Sequence, residues 1–268
     1  MDQAAARPRM SWPVTLVVLL FAVSALVVAF RGEDEDSART QSPSSSEKLD
    51  LNSLPMSSTK TTIEAAPKDL RPDRVPKGTV VHPKRLVILY DAPDGKPFAK
   101  IGPKQFGDTW LPVITRNRDW VQVLLPSRPN GSTGWIRSSQ LAEAHSSFLI
   151  RVHLGQRTLE LFEDNRPVGS WEVAIGAPAT PTPVGRTFVL GQIIDDKQPF
   201  SPVILPLGSH SDTLDSYGGG PGTVAIHGWT NPSVFGEAVS HGCVRVPDEA
   251  LALIRTVPIG TPVLVDKN

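Results

Sequence analysis

The chain has 268 residues, and its 27 acidic and 27 basic side chains balance. That balance gives no electrostatic reason to expect a nucleic-acid partner, and the length allows one large domain or two small ones plus a tail. Abundant Gly and Pro with few aromatics favour strands and turns over helical bundles, while a single Cys excludes a disulfide framework or cysteine-rich metal site within one chain.

In chain order, the first signal is topological. Arg7 and Arg9 precede an apolar run over 13–30, long enough as a helix to span most of a bilayer. Arg31 follows, then the acidic cluster Glu33, Asp34, Glu35 and Asp36. Two arginines before the run against one after it favour a cytoplasmic segment 1–12, a transmembrane signal anchor over 13–30, and an extracytoplasmic remainder. A cleaved signal peptide is the alternative, although no small-x-small cleavage site and no lipid-accepting Cys follow the run. Residues 31–76 are rich in Ser, Thr, Pro and charge, with aperiodic apolar residues. Such a composition does not offset ordering entropy, so it predicts a disordered tether with a mean span on the order of 40 Å.

Residues 78–142 read as a small all-β unit. Short apolar runs at 86–90, 111–114, 120–125 and 135–136 are separated by turn signals such as Pro93-Asp94-Gly95 and Pro129-Asn130-Gly131. The order Asp119-Trp120-Val121-Gln122-Val123, a turn, then Gly134-Trp135-Ile136 resembles the closing strands of bacterial SH3-like domains. Trp120 and Trp135 are expected in the barrel core rather than on a ligand face. The unit holds no plausible nucleophile or acid–base pair, so the chemistry is expected further on.

Residues 147–268 form the second expected domain, mostly β with little helix. Phe148, Ile150, Val152 and Leu154 alternate with Leu149, Arg151 and His153, which is strand periodicity. Gly155-Gln156 marks a hairpin turn before a strand carrying Leu159 and Leu161. Further strands are expected at 168–175, 187–190, 223–226 and 262–265. Leu251, Ile254 and Val257 stand at helical spacing, with Pro247-Asp248 as a start and Pro258 as a stop, so one helix is predicted over 248–257.

Chemistry concentrates in Ile226-His227-Gly228-Trp229 and Ser240-His241-Gly242-Cys243-Val244-Arg245. An unpaired thiol in an exported chain is either buried and inert or kept for its reactivity, and taken alone Cys243 fits the inert reading better. Its neighbours point the other way. A nearby imidazole accepts the thiol proton or pairs with the thiolate, and two histidines, His227 and His241, flank this Cys. Gly228 and Gly242 allow close approach of another backbone, and a Gly-Cys turn is able to aim backbone N–H groups at a developing oxyanion. Zinc bound by His227, His241 and Cys243 is the rival reading. A His-x-Cys pair on one ion is awkward, however, and no adjacent Cys or acid completes the set.

The run His227-Gly228, Gly236, then Ser240-His241-Gly242-Cys243-Val244-Arg245 closely resembles the signature of L,D-transpeptidase catalytic domains of the YkuD-like family. Upstream, 156–162 is similar to the family's early hairpin, Ile175-Gly176 and 182–188 to its segment of glycine followed by Thr-Pro-x-Gly, and 260–265 to its last strand. Trp229 departs from the pattern, which often has a small hydroxyl residue there. The resemblance implies a mixed β-fold and a two-step acyl transfer between peptidoglycan stem peptides, giving 3→3 cross-links through a thioester on Cys243. It implies His227 as the base, oriented as is common in the family by a backbone carbonyl near Gly228, with Asn231 or Asp248 as the side-chain alternatives, and His241 shaping the pocket and polarising the thiol. It further implies Gly242, Gly228 and Ser240 in oxyanion or structural roles, and Arg245, Trp229 and Tyr217 against substrate. No metal or other cofactor is implied, and the oligomeric state stays open. A carboxypeptidase using the same thioester and a catalytically degenerate wall-binding module are the alternatives.

Overall fold

A computed structural model describes residues 50–194 and 198–268. The expected cytoplasmic segment, the anchor over 13–30 and the start of the tether fall outside these residues. Among the described residues, no helix is long and apolar enough to cross a membrane. The described residues are mainly β, with one short α-helix.

Seven strands form the first sheet: β1 (Thr79–Pro83), β2 (Val87–Tyr90), β3 (Pro97–Ile101), β4 (Leu111–Asn117), β5 (Trp120–Leu124), β6 (Thr133–Arg137) and β7 (Leu141–His145). They pair antiparallel in the order β3-β2-β6-β5-β4-β1-β7. Leu89, Ala99, Ile101, Leu111, Val123 and Ile136 alternate inward and are fully buried, as a half-buried pleated surface requires. A small all-β unit was expected over 78–142, and the strands of this sheet run from 79 to 145. Trp120 is buried as expected, whereas Trp135 is only partly so.

Residues 50–76 correct the expectation of a tether. Their composition is that of a coil, yet they lie along the first sheet as a strap. Ile63 and Ala66 insert into its core. Backbone pairs join Ser57 N to Lys100 O at 2.8 Å, Thr133 N to Pro67 O at 2.7 Å and Asp69 N to Gly131 O at 2.8 Å. Average polarity misses this, because two well-placed apolar side chains and satisfied backbone groups are enough to hold a short segment on an existing surface.

The remaining strands are β8 (Phe148–His153), β9 (Thr158–Glu163), β10 (Arg166–Glu172), β11 (Ile175–Gly176), β12 (Gly185–Phe188), β13 (Ile193–Ile194), β14 (Val203–His210), β15 (Thr223–Gly228), β16 (Ala238–Ser240), β17 (Val244–Val246) and β18 (Pro262–Asp266). They form a five-stranded sheet β10-β9-β8-β18-β12, a four-stranded sheet β13-β14-β15-β17 and the pair β11-β16. Ile150, Val152, Leu159, Leu161 and Val263 from the larger sheet meet Leu205, Leu207, Val224, Ile226, Val244 and Val246 from the smaller in one core. Each such side chain contributes about 1.5–3 kcal/mol by leaving water. The helix α1 (Asp248–Ile254) closes this core with Ala250, Leu251 and Ile254. It starts after Pro247, and Asp248 and Glu249 favour its positive end. It stops short of the expected 257 because Thr256 and Val257 fold back as turns onto Leu253 and Ile254.

The boundary near 147 separates strands but not packing. Phe188 and Leu190 from the second part belong to the core of the first, and the buried pair Asp69–Arg186 joins strap to β12.

Candidate active site

Strands β15 and β17 build the site. They pair in parallel, with Ile226 opposite Val244, His227 opposite Arg245 and Gly228 opposite Val246. Successive side chains point to opposite faces, and Val224, Ile226, Val244 and Val246 occupy the core. The outer face therefore carries Ala225, His227 and Trp229 from one side and Cys243 and Arg245 from the other. The register places Cys243, one residue before the ladder begins, beside Ala225.

His227 is buried, and its Nδ1–H donates to the Gly228 carbonyl oxygen at 2.7 Å. A backbone carbonyl thus fixes the tautomer that leaves Nε2 as acceptor. Asn231 instead caps Ser233. The Gly228 peptide is itself held, since its N–H donates to Ser201 Oγ at 2.8 Å and the Ser201 hydroxyl donates to Val203 O at 2.6 Å. Phe200 packs edge-on against the imidazole, with ring centroids 5.1 Å apart. Burial holds His227 down to about 4, aided by the Arg245 charge and opposed by the Gly228 hydrogen bond. At neutral pH the ring is uncharged, with Nε2 unprotonated and open to accept a proton.

Cys243 is a half-buried residue. Burial pushes its thiol up from the ordinary value, against the Ala225 backbone and the Arg245 charge. The resting pair is a neutral thiol and a neutral imidazole.

The turn that presents Cys243 is fixed by hydroxyls. Ser240 Oγ donates to Cys243 O at 2.5 Å and accepts from Gly242 N at 3.1 Å. Thr182 Oγ1 accepts from Gly176 N and donates to Gly242 O, both at 2.9 Å, and Thr180 Oγ1 donates to Ser240 O at 2.9 Å. Gly242 has φ of 111°, a conformation that suits only glycine. At Gly176 an added Cβ would lie 2.3 Å from Thr180 O, so the Thr180–Thr182 loop approaches only a bare backbone. These bonds correct one expectation. The Gly242 N–H is spent on Ser240, which leaves Cys243 N–H as the oxyanion candidate from this turn.

The other expected residues lie around this pair. His241 is exposed and stacks on Tyr217 at 5.0 Å. Arg245 lies over the Trp229 ring, 3.7 Å from its centroid, and its Nε has no hydrogen-bond partner among the described residues. Beyond Trp229 opens a cleft of about 630 Å³, bounded by Phe200, Phe235, Pro247, Asp248 and Glu249. No group of three His, Cys, Asp or Glu side chains among the described residues is placed to hold a metal. Sequence reasoning passed over Thr182, Ser201 and Phe200. Thr182 lay inside a motif already singled out, whereas nothing local marks the other two.

Residues 147–265 match the model of the L,D-transpeptidase catalytic domain, YkuD. The YkuD protein of Bacillus licheniformis, named as an L,D-transpeptidase, is 30% identical over 167 residues, covering 59% of this chain and 94% of that protein. The Bacillus subtilis YkuD protein, named likewise, is 32% identical over 168 residues, covering 60% and 95%. A crystal structure of an L,D-transpeptidase from Mycobacterium tuberculosis H37Rv is 15% identical with a TM-score of 0.41, covering 72% of this chain and 100% of that one, too distant a likeness to carry an argument. On the match over 147–265 and the near-complete coverage of both Bacillus proteins, the chain belongs to the L,D-transpeptidase family.

Proposed function

We propose that this protein is a cysteine acyltransferase that forms 3→3 cross-links between peptidoglycan stem peptides, with Cys243 as nucleophile and His227 as general base. The carrying observation is the shared outer face of β15 and β17, which carries both a thiol and, diagonally across the strand pair, an imidazole with its Nδ1 proton committed to Gly228.

The chemistry follows from that arrangement. Cys243 Sγ attacks the carbonyl carbon of the third residue of a donor tetrapeptide as its proton passes to His227 Nε2. The oxyanion is met by Cys243 N–H. The C–N bond to the terminal residue breaks, His227 returns the proton to the departing amine, and a thioester remains. An acceptor amine then attacks the thioester and gives its proton to His227, the C–S bond breaks, and the thiol is restored. Water is excluded from the net exchange, which matters because a thioester reacts with either nucleophile. Arg245, a cation with no carboxylate partner among the described salt bridges, suits a substrate carboxylate, and Trp229 fixes its plane. Tyr217 and His241 border the thiol turn. Such a substrate places the catalytic part outside the cytoplasm, consistent with an anchor over 13–30.

Product analysis tests this reading. Wild-type chain given stem tetrapeptides is expected to yield dimers lighter than two donors by one terminal residue, and Cys243→Ala none, with a thermal transition close to wild type. Hydrolysed tripeptide as sole product would make the enzyme a carboxypeptidase. Turnover by Cys243→Ala within about tenfold of wild type would remove Cys243 from the mechanism.

A further inference from the structure

The 211–222 excursion joins β14 to β15 and leads into the strand that carries His227. Its neck is tied by Ser211 N to Gly222 O at 2.9 Å, and by Ser211 Oγ accepting from Leu214 N at 3.1 Å. Its tip is loosely built. Tyr217 and Gly220 exchange backbone bonds of 3.1 and 2.9 Å, while a Cβ built on Gly218 or Gly219 meets nothing within 4 Å. Tyr217 is exposed and stacks on His241, which stands two residues before Cys243 in the sequence.

The neck is gripped from outside the family-matched region. Arg128 Nη2 donates to Pro221 O at 2.7 Å and reaches Leu214 O at 3.4 Å, one contact on each leg. Asn130 Nδ2 donates to His210 O at 2.7 Å and Asp212 Oδ1 at 2.9 Å, and its Oδ1 accepts from His210 N at 2.8 Å. The legs close tightly here, since a Cβ on Gly222 would stand 2.2 Å from Leu214 O and 3.0 Å from Arg128 Nη2. Arg128 is held in turn by the strap, its N–H donating to Thr61 O at 2.9 Å and its carbonyl accepting from Ile63 N at 2.8 Å. A fixed base beneath an unpacked tip means that the base decides where the tip points.

We propose that Arg128 and Asn130 are positioning residues for the transpeptidase site, holding the Tyr217 loop against the turn of Cys243 so that Tyr217 meets the donor peptide. The first β-unit and the strap thereby act on the substrate site through this loop. This rests on Cys243 being the acylated residue, and its test has a readout that does not.

In the full-length chain, Arg128→Ala is expected to raise amide hydrogen exchange over 212–221 about tenfold or more, leaving β8, β9 and β18 unchanged. For acylation by a stem tetrapeptide, KM should rise about tenfold with kcat within about twofold. Arg128→Lys should recover part of the loss. Tyr217→Ala should raise KM similarly, and the double variant should be no worse than the poorer single. Asn130→Ala is the second probe of the same grip and should show the same pattern. Unchanged loop exchange in both Arg128→Ala and Asn130→Ala would overturn the proposal whatever the catalytic outcome. Additive losses in the double variant would overturn it as well. If the wild-type chain forms no acyl-enzyme, the transpeptidase reading fails, and loop exchange alone decides whether Arg128 holds the loop.

Discussion

His227 shows how burial sets a catalytic role. Held to about 4 by burial, it is neutral across the physiological range, and the thiol beside it is raised rather than lowered. The proton therefore moves on substrate attack, not beforehand. Acylation should be flat between about pH 5 and 8 and fall only as His227 protonates below that. A pre-formed thiolate–imidazolium pair would instead titrate inside this window. His227→Ala should slow acylation by about two to four orders of magnitude, and His241→Ala less. Greater damage from His241→Ala would move the base to that residue. The same shift affects stability. His227 and His210 are both lowered to about 4 from 6.5, His210 by burial and then by the Arg128 charge. In the unfolded chain they take up protons near 6.5, so their contribution is complete above that pH and lost as pH falls toward 4. Denaturant melts should lose up to about 3 kcal/mol per histidine across this interval. Thr182→Val should cost about 1–3 kcal/mol, since it strands the Gly176 N–H and the Gly242 carbonyl.

At the scale of elements, two kinds of information separate. Alternation over 148–154 is local, and it was legible as a strand with a core face before any fold was known, as was a strand over 223–226, whereas β17 at Val244–Val246 was not. The active-site turn was legible for a similar reason, because one Cys, two His and three Gly crowd into a short stretch. The strap was not. Its grip depends on partners far along the chain, such as Asp69 with Arg186, 117 positions apart, and no local pattern records such a contact. Ser201 and Arg128 were hidden in the same way, one acting on Gly228 and the other on Pro221. The strap carries a clear expectation. Arg186 Nη2 donates to Asp69 Oδ1 at 2.6 Å, and both side chains are almost fully buried. Asp69→Ala should destabilise the chain by about 3–5 kcal/mol, the usual cost of leaving one buried charge alone. A loss below about 1 kcal/mol in urea melts would mean that the pair is solvated and the strap weakly held.

Across the whole molecule, the reacting groups proposed here all lie beyond residue 147, yet the packing that places them does not. Phe188 and Leu190 complete the first core, and the strap joins the two parts. A chain beginning near Ser147 would expose those side chains and is expected to melt well below the full protein, whereas strand boundaries alone would suggest a free-standing catalytic unit. The central claim, however, is that Cys243 carries the acyl group. Its most direct test is the mass of the Cys243 peptide after the full chain meets a carbapenem, whose strained carbonyl stands in for the donor peptide. One added drug mass on that peptide, formed at least about a hundredfold more slowly in His227→Ala, is the predicted result. An unmodified Cys243 peptide in a protein whose thiol still reacts with a simple alkylating agent would show an exposed but inert cysteine, and would contradict the account.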